Sequence, residues 1–161
     1  MGRQINFYMS DTVQAEFIEF LKQNQFVYYD YNANKVENVA DKKLYTVYLY
    51  KENYGVFLRN KNDSRYVDFM DGPVIEFSKS MIDAETKKLI RGRLWMDGWY
   101  FDEAGNKVKK SELLTKDYEK LVRWVKKHVP YQEYEQKGYI LKEYISDEVI
   151  ELQKQGYTFN F

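Results

Sequence analysis

The sequence predicts an α+β domain, built on a mixed, largely antiparallel sheet of about eight strands with two main helices packed on one face. Three observations predict this class: short apolar runs with strand-like alternation, two longer segments with helical spacing, and turn residues between them. The 161 residues have single-domain length and no break in composition, so residues 1–161 are expected to form one domain.

The N-terminal segment predicts a strand, a helix and a second strand. Residues 5–9 alternate in the manner of a strand, and Ser10 and Asp11 then supply the polar residues that begin a helix, expected over 12–23. The segments that follow are a strand at 26–30 and a polar loop at 31–43.

The middle of the chain predicts an antiparallel meander, because short apolar runs alternate with turn sequences such as Asp71-Gly72-Pro73. A small hairpin with a turn-rich tip is expected at its end. The predicted strands are 44–50, 55–59, 66–70, 74–78, 89–96, 99–101 and 107–109.

The clearest helix is predicted over residues 111–128. Ser111 has the side chain of an N-cap, and Pro130 prevents the helix from continuing. Apolar residues at steps of three and four form one stripe, which we expect to pack on the sheet: Leu114, Tyr118, Leu121, Val122 and Val125.

The C-terminal residues predict a short βαβ-like unit, with a strand at 139–145, a helix at 149–155 and a strand at 157–161. Residues 144–149 resemble residues 8–13, since both place Ser-Asp between a strand and a helix. This similarity has two interpretations, a duplicated unit or the common form of a Ser-Asp cap, and the shorter second helix favours the cap.

Charge and composition exclude several classes of function. Lys plus Arg and Asp plus Glu both number 25, so the whole molecule has no net field toward nucleic acid or an anionic membrane. The absence of cysteine excludes thiol catalysis and thiolate metal sites, and it fits a reducing compartment. No segment has the ~20 apolar residues of a membrane span, and residues 1–9 do not resemble a signal peptide. We therefore expect a cytoplasmic protein that binds no membrane.

The residues that could support catalysis do not form a standard set. His128 is the single histidine and lies at the expected end of a helix, where a cation is favoured, so we interpret it as a helix-end residue. The eight glycines are scattered and form neither a phosphate-binding loop nor a dinucleotide fingerprint, so no cofactor is expected. The sequence therefore favours a protein that is not an enzyme.

One alternative is a metal-dependent phosphoester hydrolase that uses Asp68, Asp71 and Glu76. Restriction-type nucleases combine an Asp with Glu-x-Lys, because the strand period of two puts the acid and the base on one face. Here Lys79 follows Glu76 by one residue too many, so in a regular strand it would point to the opposite face. Surface charge on the sheet is the interpretation that we prefer.

A second alternative is nucleic-acid binding through the basic segment 107–128. This segment contains eight Lys or Arg and three acidic residues. A polar helix face exposed to water would have a similar composition. The basic residues opposite the apolar stripe are Lys116, Lys120, Arg123 and Lys127.

The preferred hypothesis is a small binding protein that contacts another protein through an aromatic-rich surface. Phe, Trp and Tyr make up 18% of the chain; most of them suit strands and core, but those around Gly98 cannot all point to one sheet face. Arg with Trp and Tyr is the combination enriched at the centres of interfaces. An inhibitor of the immunity or antitoxin type, which occludes its target, is the example that we consider. The candidate contact residues are Arg91, Arg93, Trp95, Trp99, Tyr100 and Phe101.

Overall fold

A computed structural model of the chain describes residues 3–32, 34–54, 73–101 and 106–160. These residues contain three α-helices, a mixed and mostly antiparallel seven-stranded sheet, and two smaller sheets. The predicted α+β class is therefore confirmed. None of the described helices is both long and apolar enough to cross a membrane.

The secondary structure follows the predicted order over most of the described residues, but the strand predicted at 89–96 is two strands, Lys88–Ile90 and Gly92–Asp97, which belong to different sheets, and the strand Met81–Asp83 is not among those predicted. The helices are α1 (Asp11–Gln23), α2 (Glu112–His128) and α3 (Asp147–Lys154), and a short 3₁₀ turn spans Glu52–Tyr54. The strands are β1 (Arg3–Tyr8), β2 (Val27–Tyr29), β3 (Thr46–Tyr50), β4 (Val74–Ser78), β5 (Met81–Asp83), β6 (Lys88–Ile90), β7 (Gly92–Asp97), β8 (Trp99–Phe101), β9 (Lys107–Lys110), β10 (Tyr131–Gln136), β11 (Tyr139–Ile145) and β12 (Thr158–Asn160). The strands predicted at 55–59 and 66–70 lie outside the described residues.

The seven-stranded sheet has the order β10-β11-β1-β7-β4-β3-β2. Its neighbours are antiparallel except β1 and β11, which run parallel and bring the two ends of the chain together. β10 is not among the predicted strands, because its sequence YQEYEQ is polar and acidic. It is a strand because it pairs along its whole length with β11.

Helices α1 and α2 cover one face of this sheet, which we call the helix face. Each helix begins at a serine whose side chain accepts a backbone hydrogen bond: Ser10 Oγ from Val13 N at 3.2 Å, and Ser111 Oγ from Leu114 N at 3.3 Å. The predicted apolar stripe of α2 packs on the core: Leu114, Tyr118, Leu121 and Val125 are buried, and Val122 is partly buried against it. The core also includes Phe7, Phe17, Leu21, Val47, Leu49, Ile75, Phe77 and Leu94.

The C-terminal strand, helix and strand join two sheets. β11 belongs to the large sheet, whereas β12 follows α3 and pairs in the parallel sense with β6, which forms the three-stranded sheet β12-β6-β5. A second core fixes this small sheet and α3 against one end of the large sheet, on the side away from α1 and α2. Its buried residues are Tyr8, Leu89, Ile145, Val149, Tyr157 and Phe159.

The two similar segments at the ends of the chain lie side by side. Tyr8 is opposite Ile145 in the parallel pair of β1 and β11, and Ser146 N donates a hydrogen bond to the Tyr8 carbonyl oxygen at 2.9 Å. Ser146 Oγ accepts a hydrogen bond from Ser10 N at 3.0 Å. The starts of α1 and α3 are therefore bound to each other through buried serines.

Candidate functional site

The second face of the large sheet, which we call the polar face, results from the alternation of side chains along β4 and β7. On β4, Glu76 and Ser78 alternate with two fully buried apolar residues that point to the helix face. On β7, Arg93 and Trp95 likewise alternate with buried apolar residues. Strand pairing places Glu76 opposite Trp95 and Ser78 opposite Arg93, while Asn6 of β1 lies on the other side of Arg93. Polar side chains from three neighbouring strands therefore share one surface.

A cleft of about 360 Å³ opens on the polar face. Two hydroxyl groups in its lining, Thr46 Oγ1 and Ser78 Oγ, share a hydrogen bond at 3.0 Å. Hydroxyl, amide, carboxylate and guanidinium groups together make this cleft suited to binding a polar group. The lining residues are Gln4, Asn6, Tyr45, Thr46, Glu76, Ser78, Arg91 and Arg93.

Two ion pairs hold the arginines of the cleft. Arg93 binds Glu76 between β7 and β4, and Arg91 Nη2 lies 3.0 Å from Glu143 Oε1 of β11. The exposed fractions of the arginine side chains are 40% for Arg93 and 35% for Arg91, against 14% for Glu76 and 15% for Glu143. The cations lie nearer to solvent than the anions, so the charge that this face presents outward is positive.

Aromatic side chains support the Arg91 end of the cleft. The Arg91 guanidinium carbon lies 6.0 Å from the centroid of the Tyr8 ring, and the Tyr45 hydroxyl donates a hydrogen bond to the Arg91 carbonyl oxygen. Burial raises the pKa of Tyr8 and of Tyr45, and the neighbouring arginines partly oppose this rise. Burial likewise raises the pKa of Glu143, and Arg91 lowers it in part.

The structure brings together only part of the predicted contact site. Arg91, Arg93 and Trp95 lie on or beside the polar face, with Trp95 half-buried. Trp99 lies beyond Gly98 in β8, which pairs with β9 in a separate two-stranded sheet. The strand β8 also contains residues 100 and 101, whose side chains are outside the described part of the structure.

Of the candidate metal ligands Asp68, Asp71 and Glu76, the described residues include only Glu76. Glu76 is paired with Arg93, and both Asp68 and Asp71 lie outside the described ranges. The part of the chain that the structure describes contains no group of three or more His, Asp or Glu residues that could hold a metal ion.

Lys79 lies beside α1, whereas Glu76 lines the cleft on the polar face. The Lys79 side chain is buried, and its ammonium group donates a hydrogen bond to the Asp41 carbonyl oxygen. With Gln14 and Ser80 it lines a separate cavity of about 290 Å³. Burial lowers the pKa of Lys79, and Asp41 partly opposes the shift. The acid and the base of the Glu-x-x-Lys sequence thus line different cavities.

The basic face of α2 is exposed along its length. Lys120 donates a hydrogen bond to Asn24 Oδ1 at the end of α1. His128 is the last residue of α2; its ring stacks on Trp124 with centroids 3.9 Å apart, and its Nδ1 lies 2.8 Å from the Trp124 carbonyl oxygen. The basic residues predicted to lie opposite the apolar stripe are all exposed: Lys116, Lys120, Arg123 and Lys127.

Sequence reasoning missed most of the cleft lining. Gln4 and Asn6 alternate with apolar residues in β1, a pattern that marks them as facing away from the core. No local pattern connects them, or Tyr45 and Glu143, with Arg91, because those strands pair only in the folded sheet. The hairpin of β10 and β11 also exposes three large side chains that no sequence pattern indicated, Tyr131, Tyr139 and Ile140.

Comparisons of the chain with protein-family models, with curated proteins and with solved structures find no match. The chemistry of the candidate site therefore has to be inferred from its own residues.

Proposed function

We propose that this chain is a non-enzymatic binding protein that contacts another protein through the polar face of its large sheet. The observation that carries the proposal is the grouping of Arg91, Arg93 and Trp95 beside one cleft. Arg and Trp dominate the binding energy of many interfaces, because they offer large contact area and several directed hydrogen bonds. Helices α1 and α2 occupy the opposite face, so a partner on the polar face need not displace the core beneath these two helices.

A protein of this kind acts by covering a surface of its partner, as immunity and antitoxin proteins do. Occlusion requires no catalytic group, and the polar lining of the cleft serves as a set of hydrogen-bond donors and acceptors. We place this binding in the cytoplasm, because a chain without cysteine needs no oxidising compartment for its stability.

Nucleic-acid binding by α2 is the second candidate. It is favoured by the exposure of Lys116, Arg123 and Lys127 on one helix. The two candidates use different surfaces, since α2 lies on the helix face and the cleft lies on the polar face.

The test begins with affinity capture from a native lysate and continues with purified partner and chain. Arg93→Ala combined with Trp95→Ala is expected to weaken the interaction by about tenfold or more, because both side chains contribute contact area and hydrogen bonds. The matched control is Lys116→Ala combined with Arg123→Ala on α2, which should leave the affinity unchanged. Thermal unfolding establishes that both double variants are folded.

Two results would contradict the proposal. The first is unchanged affinity in the folded Arg93→Ala, Trp95→Ala variant. The second is loss of binding only in the α2 variant, together with a steep decrease of affinity as salt is added, which is the behaviour of nucleic-acid binding.

A further inference from the structure

The polar face presents cations outward and keeps its anions beneath them. Arg93 and Arg91 are more than twice as exposed as Glu76 and Glu143, at 40% and 35% against 14% and 15%. A partner that approaches this face therefore meets guanidinium groups before it meets carboxylates. Charge complementarity requires an anionic group on the partner at this point.

Arg93 has hydrogen-bonding capacity left for such a group. A guanidinium has five N–H donors in a planar fork, and within the described residues Arg93 forms one ion pair, through Nη2 to Glu76 Oε1. Glu76 is itself near Ser78 Oγ at 3.4 Å, so the carboxylate has a second contact that helps to fix it. A guanidinium that is held on one edge can donate two parallel hydrogen bonds from another edge to a carboxylate.

The charge balance of the cleft decides which anion it suits. Arg91, Arg93 and Glu76 line it, and Glu143 pairs with Arg91 from outside the lining, so the formal charges of these four groups cancel. A doubly charged phosphate at Arg93 would meet the repulsion of the Glu76 carboxylate at short range, whereas a single carboxylate group can form one directed pair with Arg93. The volume of about 360 Å³ is near the lower limit of ordinary ligand pockets and admits a side chain.

We infer that the cleft receives an Asp or Glu side chain of the partner protein, whose carboxylate binds the Arg93 guanidinium. The inference rests on the proposed function and names the chemistry of the partner at that site. Trp95 lies on the same face, separated from Arg93 by one residue of β7, and provides apolar contact beside the carboxylate. The partner segment is therefore acidic with an apolar neighbour.

A hexaglutamate peptide serves as the probe, and a hexaglutamine peptide of the same length is its uncharged match. In a titration at low salt, hexaglutamate is expected to shift the NMR resonances of the Arg93 Nε–Hε group and of the Trp95 indole N–H. Hexaglutamine should leave both in place. Arg93→Gln should weaken hexaglutamate binding by about tenfold or more, because a charge-assisted hydrogen bond is lost.

Two further variants test two questions. The first is whether binding depends on the geometry of the guanidinium or only on its charge, and the second is whether binding occurs at the cleft or at α2. Arg93→Lys keeps the charge and loses the planar fork, so it should bind hexaglutamate more weakly than the natural chain. Arg123→Gln removes an exposed arginine of α2 and should leave binding unchanged. Thermal unfolding of each variant shows whether a loss of binding reflects a loss of fold.

The inference is overturned if hexaglutamine shifts the same resonances equally, if the folded Arg93→Gln variant retains full affinity, or if only Arg123→Gln weakens binding. Inorganic phosphate provides a further arm: stronger binding of phosphate than of hexaglutamate at Arg93 would show a phosphate site instead. If the double variant Arg93→Ala, Trp95→Ala loses the captured partner while hexaglutamate does not bind, the partner chemistry is wrong and the proposed function stands. If hexaglutamate binds at Arg93 but the captured partner is unaffected by the double variant, the proposed function fails.

Discussion

The helix face and the polar face of the large sheet are built from the same strands and differ in almost every physical respect. On β4 and β7, Phe77 and Leu94 are completely buried beneath α1 and α2, while the adjacent Glu76 and Arg93 form a partly exposed ion pair. A step of one residue along a strand thus separates a side chain that stabilises the fold from one that reaches the surface.

The expected energies of the two faces differ accordingly. Burying a large aliphatic or aromatic side chain contributes about 1.5–3 kcal/mol. An ion pair with a half-exposed partner contributes about 1 kcal/mol or less, because water and salt weaken the attraction. Substitutions on the helix face should therefore reduce the free energy of unfolding, whereas substitutions on the polar face should chiefly reduce binding.

Truncation of a core residue on the helix face should have the largest effect on stability. Leu94 is 0% exposed and lies in the core shared by the sheet and the helices. Leu94→Ala is expected to lower the free energy of unfolding by about 2–5 kcal/mol, through lost burial and the cavity that remains. Denaturant unfolding measures the change, and a loss below about 0.5 kcal/mol would place this face in solvent.

The fold class was predictable because its evidence is local. The caps at Ser10 and Ser111 and the apolar stripe of α2 depend on residues within a few positions of each other. The polar strand β10 was not predictable, since it owes its conformation to pairing with β11. The pairing of β12 with β6 was not predictable either, because no residue near Thr158 indicates which strand it pairs with.

The candidate site was predictable only where its residues share a strand. Because side chains alternate along a strand, the sequence correctly predicts that Arg93 and Trp95 lie on one side of β7. Only its short sequence distance connects Trp99 with them, and the chain passes Gly98 into a different sheet before reaching it. The partners of the arginines, Glu76 and Glu143, come from β4 and β11, whose positions beside Arg93 and Arg91 depend on the complete sheet order.

A steric test of the helix face is available at Gly92. A Cβ atom at this position would lie 2.3 Å from Phe7 Cε2 and 2.6 Å from Ser80 N. Because the second contact is to backbone, relief requires movement of the chain, and Gly92→Ala should cost about 1–3 kcal/mol. Ala15→Gly, at an exposed position of α1, is the matched control for a change of one methyl group, and it should cost about 1 kcal/mol or less. An unchanged midpoint of denaturant unfolding for Gly92→Ala would show that the helix face is loosely packed.

Alkaline pH should weaken the helix face through its buried tyrosines. Burial raises the pKa of Tyr118 from 10.0 to about 12, although Arg3 lowers it in part. Above pH 10 the unfolded chain releases the proton while the folded chain retains it, so the free energy of unfolding should fall between pH 10 and about 12. Tyr118→Phe should make this fall shallower, and Tyr131→Phe, at an exposed tyrosine, should not. The measurement is denaturant unfolding at several pH values. The prediction is contradicted if the free energy of unfolding falls equally steeply with pH in the natural chain and in Tyr118→Phe.

The smallest expected change in stability is on the polar face, and its asymmetry tests which charge faces outward. Removing Arg93 leaves Glu76, only 14% exposed, without its cation, whereas removing Glu76 leaves a guanidinium that is 40% exposed and can be hydrated. Arg93→Gln should therefore cost about 1 kcal/mol, and Glu76→Gln about 0.5 kcal/mol or less. Denaturant unfolding at low and high salt measures both changes, and added salt should reduce the difference between them. A loss of unfolding free energy for Arg93→Gln as large as that for Leu94→Ala would mean that the polar face belongs to the core. A side chain on which the fold depends so strongly would not be free to bind a partner.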